Sequence, residues 1–158
     1  MPQRPAGDSA HALPDDHHAA MQRGFRWRVP ARMNIAELCS RRWARGDDAS
    51  KRIAVIAHQP GAGGQNHSYA ELQASADRLS HALVRLGVAR GDRVAIVMPQ
   101  RFETAVAYIA VLQLGAIAMP LSQLFGPEAL EYRLQDASAC LARCDEGALA
   151  DLHAVRAR

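Results

Sequence analysis

Lysine is almost missing from this sequence. Of its 158 residues 19 are Lys or Arg, and all but Lys51 are arginine, a bias that reflects a GC-rich genome more than a mechanism. Aromatic residues are scarce too, at 5%, so a core must be built from Ala, Val, Leu and Ile. Cysteine appears three times, at Cys39, Cys140 and Cys144. That is too few for a disulfide scaffold and odd in number, so reduced thiols in a cytoplasmic protein are expected. Long apolar runs are absent. The longest, Ala105 to Leu121, is broken by Gln113, Gly115 and Pro120. A membrane span needs roughly 20 apolar residues, so this stretch reads as buried core. The first 25 residues include Asp8, Asp15, Asp16, His17 and His18 and have no apolar run of the kind a secretory signal requires.

What is present is ordinary for a globular protein. Hydrophobic residues make up 49% and charged residues 22%, which excludes collagen, a coiled coil and wholesale disorder. Net charge is +3, and the basic excess lies in the N-terminal third. The positive residues are not concentrated on any one helix, which argues against nucleic acid as a partner. Residues 1–24 have no helical or strand period and read as a flexible leader. Phe25, Trp27 and Val29 then alternate with Arg26 and Arg28 up to Pro30, the pattern of a short extended arm that is apolar on one side.

Asn34 caps an expected helix from Ile35 to about Ala44, with Ile35, Leu38, Cys39 and Trp43 as its apolar face. A strand, Ile53 to Ala57, and a Gly-rich connection over residues 60–66 form a hairpin with the segment His67-Ser68-Tyr69. Ser68 and Glu71 fit a capping box for a helix running to Leu86, with Gly87 at its C′ position. Val94 to Met98 is a continuous apolar run, as in a strand buried on both faces. The helix Phe102 to Leu114 is apolar all round and hence buried all round. A strand at Ile117–Met119, a helix from Pro127 to about Asp136, a weak strand over Ser138–Cys144 and a helix Glu146–Ala157 complete the order. Alternation of this kind implies an α/β fold: parallel-sheet βαβ units with helices on both faces. A chain this short has little left with which to surround the apolar helix, so it is expected to be part of something larger.

A search for chemistry finds no constellation. The loop at 60–66 lacks G-x-x-x-x-G-K-[ST] and reads as a turn. No G-x-S-x-G or H-E-x-x-H occurs. His11, His17 and His18 beside Asp15 and Asp16 have no second ligand cluster, and read as a solvated tail. Cys140 and Cys144 read as idle thiols and Cys39 as packing. Glu103, at the start of the buried helix, reads as a favourable charge at a helix N-terminus. No catalytic, cofactor-binding or metal residue is nominated.

Several segments in order resemble the N-terminal part of the AMP-forming acyl-CoA synthetases, of the acetyl- and medium-chain type, in the adenylate-forming ligase superfamily. They are Phe25-Arg26-Trp27-Arg28-Val29-Pro30 with Met33-Asn34-Ile35-Ala36, Ser68-Tyr69-Ala70-Glu71-Leu72 with Ala76-Asp77-Arg78-Leu79, Gly91-Asp92-Arg93-Val94 through Pro99-Gln100, Leu114-Gly115-Ala116-Ile117-Ala118-Met119-Pro120-Leu121, and Phe125-Gly126-Pro127-Glu128-Ala129-Leu130. The resemblance covers roughly residues 25–158 and implies an incomplete N-terminal subdomain of the synthetase large domain. It implies a complete enzyme that joins a carboxylate to CoA with ATP and magnesium, through an acyl-adenylate. The family's lysine-bearing phosphate loop and its C-terminal catalytic lysine have no counterpart here. The basic cluster that follows an Asp-Glu-Gly in acetate-type relatives is also missing after Asp145-Glu146-Gly147. This chain alone is therefore expected to bind no cofactor and to be inactive. Its expected partners are the missing C-terminal part, or a second copy through an exposed apolar face. The alternative is a non-catalytic interaction module that pairs with a synthetase or with a separately encoded C-terminal half.

Overall fold

A computed structural model of the protein describes residues 17–59, 61 and 63–156. Two compact units are distinguished, residues 1–32 and 33–158.

In the first unit, α1 spans His17–Gly24 and buries no residue. The leader reading anticipated no helix there; Ala19, Ala20, Met21, Gln22 and Arg23 are sufficient helix formers to make this short one. An irregular arm follows. The Phe25 and Trp27 rings meet edge to face, 5.0 Å apart, so the two residues share a side as their period-two spacing requires. Residues 1–16, which include His11, Asp15 and Asp16, lie outside the described residues.

In the second unit, Asn34 caps as expected: its Oδ1 accepts from the Ala36 and Glu37 amides at 2.9 and 3.3 Å. The helix it opens contains a π-helical turn, Glu37–Arg41, before the short α2, Arg42–Ala44. Its inward face is not the one expected. Ala36 and Ser40 are buried, whereas Ile35, Leu38 and Cys39 are exposed. The reason is proximity. Asn34 Nδ2 donates to the Leu112 and Gln113 carbonyls at 3.1 and 3.4 Å, drawing this turn against its neighbour, where only small side chains fit.

The hairpin pairs β1, Ile53–Gln59, with β2, Gly63–Ser68, antiparallel. Gly61 in its connection and Gly63 at the start of β2 take φ of +82° and +77°, the left-handed conformation that the turn reading needed. Helix α3, Tyr69–Arg85, starts at Ser68 with both halves of the capping box formed. It ends in a Schellman turn: the Gly87 and Val88 amides donate to the Val84 and Leu83 carbonyls at 3.0 Å each, with Gly87 at φ +91°.

Strand β3, Arg93–Val97, is the centre of a three-stranded parallel sheet, ordered β4-β3-β5, with β4 at Ile117–Pro120 and β5 at Leu141–Cys144. Helix α4, Phe102–Gln113, joins β3 to β4; α5, Pro127–Asp136, joins β4 to β5; α6, Glu146–Arg156, follows. Stepping from β3 to β4 and from β4 to β5 runs in opposite directions across the sheet. Right-handed crossovers therefore place α4 and α5 on opposite faces. The core agrees. Val94 packs with Leu72, Ala76, Val106 and Ala110, and Ile96 with Ala107, on the α3/α4 side. Ala95 and Val97 pack with Leu130 of α5 and Ala148 of α6 on the other. No residue from Phe102 to Leu114 is exposed, so the all-apolar helix is enclosed by α3, the hairpin and the sheet. The uncovered apolar surface lies elsewhere, at Ile56, Leu86, Ile117, Leu124 and Tyr132.

Candidate functional site

The sheet order reverses beside β3: the chain first goes to one neighbour and later returns to the other. In open parallel sheets, such a switch point leaves a crevice outside the carboxyl ends of the two strands, and ligands bind there. This chain has one between the ends of β3 and β5. It measures about 520 Å³ and is lined by Met98, Arg101, Glu103, Arg143, Cys144, Asp145, Glu146 and Leu149.

Each lining group has a local cause. Pro99 ends β3, and Arg101 occupies the N-cap position of α4 without a capping side-chain bond. Its Nε instead donates to Glu103 Oε2 at 2.6 Å. That bond pulls the Glu103 carboxyl below its usual range and raises the Arg101 guanidinium. Glu103 thus favours the helix N-terminus, as its sequence position suggested, and is held by the preceding arginine as well. On the opposite wall, Asp145 caps α6: its Oδ1 accepts from the Gly147 amide at 3.1 Å and from Gln123 Nε2 at 2.6 Å. Arg143 brings a buried Nε with no hydrogen-bond partner among the described residues.

Two helix N-termini border the crevice, a setting that attracts anions. The side chains oppose this. Glu103, Asp145 and Glu146 face two arginines, of which Arg101 is already paired. No lysine lines it. A polyphosphate would meet three carboxylates here, so these residues do not fit ATP by themselves. Burial pushes the Cys144 thiol up, and Asp145 adds to the shift, which disfavours the thiolate. Cys140 is raised in the same way, by burial first and then by Asp92. Both therefore match the idle-thiol reading.

The crevice was not found from sequence. Arg101 and Arg143 stand in no motif, Asp145 was noted only as the start of Asp145-Glu146-Gly147, and they meet only because β5 returns to the far side of β3. A usable signal was the position of Arg101 and Asp145 just past the ends of expected strands; Arg143 lies within one. The structure brings together none of the other residues weighed for chemistry. Gly61 and Gly63 serve the hairpin turn, and Cys39 is solvent-exposed on the π-helical turn. Among the described residues no group of three or more His, Cys, Asp or Glu stands close enough to hold a metal. Nor is any described helix long and apolar enough to cross a membrane.

Residues 41–157 match the family model described as "AMP-binding enzyme". The chain belongs to the AMP-binding enzyme family. Within that family it is 35% identical over 116 residues to the acetyl-coenzyme A synthetase of Streptomyces coelicolor, a match that spans 72% of this chain and 17% of the relative. It is likewise 35% identical over 125 residues to the acetyl-coenzyme A synthetase of Escherichia coli O6:H1, spanning 78% of this chain and 19% of that one. Among solved structures, a Mycobacterium tuberculosis fatty acyl CoA synthetase superposes with a TM-score of 0.66 at 28% identity, covering 79% of this chain and 24% of the other. A Brucella canis acyl-CoA synthetase shares the fold, with a TM-score of 0.73 at 24% identity over 87% of this chain and 25% of that one. The resemblance carried by the five segments therefore stands, as does the α/β fold class. The chain spans less than a fifth of the length of these two curated AMP-binding relatives.

Proposed function

We propose that this chain serves as the N-terminal scaffold of an AMP-forming acyl-CoA synthetase and performs no adenylation by itself. In this reading the complete enzyme joins a carboxylate to CoA in the cytoplasm, using ATP and magnesium. The residues described here supply a folded platform and no reacting group. The observation that carries the reading is the make-up of the switch-point crevice: three carboxylates, two arginines, no lysine and, as its one thiol, Cys144, which burial pushes up.

The open edge of the sheet supports it. Cys140 donates its amide to the Arg93 carbonyl at 3.0 Å, so the Leu141 and Arg143 amides point away from β3. Beside that edge lies an apolar groove of about 530 Å³ that includes Leu134, Leu141, Leu149, Leu152 and Val155. Since α6 shares the face of α5, a further right-handed crossover carries a following strand to this edge. A separately encoded C-terminal half adds there equally well, which is the form the interaction-module alternative takes.

The test is ATP–pyrophosphate exchange by the purified chain with acetate, butyrate, octanoate and benzoate. No exchange is expected with any of them. Robust exchange from a contaminant-free preparation overturns the reading.

A further inference from the structure

The arm that follows α1, one of the segments that carry the synthetase resemblance, has a charge and exposure for which the proposed scaffold role gives no use. From His17 to Ala36 there is no acidic residue, while Arg23, Arg26, Arg28 and Arg32 fall within ten positions. None of the ion pairs among the described residues involves them. Arg26 does make hydrogen bonds, but to the Arg23 and Phe25 carbonyls, which leave its charge uncompensated. Interleaved with these cations are Met21, Phe25, Trp27 and Val29, which are 67%, 55%, 84% and 77% exposed.

Two features select the partner. The first is geometry. The Phe25–Trp27 ring contact puts these two side chains together, and the sequence interleaves them with Arg26 and Arg28. A strip of that kind matches a lipid–water interface. Aromatic rings sit at headgroup level, and arginines reach the phosphates around them. The second is the kind of apolar residue. Single-stranded nucleic acid stacks on aromatic rings, and the aliphatic Met21 and Val29 would remain wet on it; a bilayer surface covers all four.

We propose that residues 21–32 form a peripheral attachment site for anionic membrane surfaces, with Phe25, Trp27 and Val29 entering the interface and the four arginines taking anionic headgroups. The contact is reversible, because one short arm without a lipid chain gives modest affinity. It is independent of the crevice, so the chain attaches whether or not a synthetase is assembled on it.

The chain has two tryptophans, Trp27 and Trp43, so a Trp43→Phe chain reports on the arm alone. Its emission is followed as phosphatidylcholine vesicles are added, with or without phosphatidylserine, and sedimentation with the vesicles is measured in parallel. The expected result is a blue shift and co-sedimentation with phosphatidylserine vesicles only, both weakened by salt. The double variant Arg26→Gln/Arg28→Gln is expected to lose roughly fivefold in affinity per arginine. Trp27→Ala, assayed by sedimentation, is expected to bind more weakly as well. Far-ultraviolet circular dichroism identifies any variant that fails to fold, and the unsubstituted chain alone decides the main question. Failure to bind phosphatidylserine vesicles overturns the proposal. So does equal binding to phosphatidylcholine, an unchanged affinity in the folded variants, or a preference for a single-stranded oligonucleotide over the vesicles.

Discussion

Leu130 is the only residue of α5 that is fully buried, at 1% exposure, and it packs against Ala95, Val97 and Ala148. It is the most deeply buried contact of α5 in a layer that Leu134, Phe125, Met119 and Leu152 complete. Leu130→Ala removes most of the side chain from the centre of a cluster that also holds Met119, Leu121, Phe125, Leu134 and Leu152, and these can close the space only in part. Large-to-small changes at such sites cost about 2–5 kcal/mol, more where the surroundings cannot collapse. For a domain of this size roughly 2–4 °C of melting temperature is lost per kcal/mol, so a fall of about 10 °C is expected. That is a large part of a typical net stability of ~5–15 kcal/mol. Leu149→Ala on α6, at 46% exposure, serves as the control and is expected to change the midpoint far less. Thermal unfolding followed by circular dichroism reads both. A Leu130→Ala midpoint within about 1 °C of the parent would mean that α5 is not held through this contact, and the two-layer account of the sheet fails.

Three other perturbations follow from caps and charges. Ser138 sits at the C′ position of α5 with φ +50°, where its amide and that of Ala139 close a Schellman turn at 2.9 Å each; Ser138→Gly is expected to stabilise by about 1 kcal/mol, seen as a higher denaturation midpoint. Ser68→Ala removes the hydroxyl that accepts the Glu71 amide at 3.2 Å, and is expected to cost about 1 kcal/mol in the same measurement. Acid should destabilise the chain through Glu71 and Glu103. Ser68 lowers the first carboxyl and Arg101 the second, each from the usual 4.5. Their contribution is present above pH 4.5 and disappears as pH falls through the depressed folded values. A flat unfolding midpoint between neutral pH and pH 3 would contradict this.

Much of the fold is legible in single residues because those residues act locally. The capping box needs only Ser68 and Glu71, the end of α3 needs only Gly87, and the double-sided burial of β3 is written in its unbroken apolar run. The inward face of the first helix in the second unit was misread because it depends on distance. Asn34 and Arg41 tie that turn to α3 and α4, with Arg41 Nη2 3.3 Å from Asp77 and 3.1 Å from Gln113. Hydropathy favours Ile35 and Leu38 for the interior, but the close approach admits only Ala36 and Ser40. The crevice was illegible for a related reason. Strand order is a property of pairing between distant segments, and no local spacing announces which side of β3 receives β5.

That pairing also sets an order of assembly during synthesis. Arg93 meets Ile117 and Val94 meets Leu141, so the first strand partner lies 24 residues downstream (117 − 93) and the second 47 (141 − 94). As the chain leaves the ribosome, β3, α4 and β4 can close a compact unit on α3 before β5 exists. Until then the Ala95 and Val97 side of the central strand has only α5 to cover it, and the charged walls at positions 101 and 145 have not met. The crevice forms late, because its two walls meet only once β5 has paired with β3, the longer of the two closures within the sheet. It is also the first to be lost when the nascent chain pauses or the folded chain opens at its β5 edge.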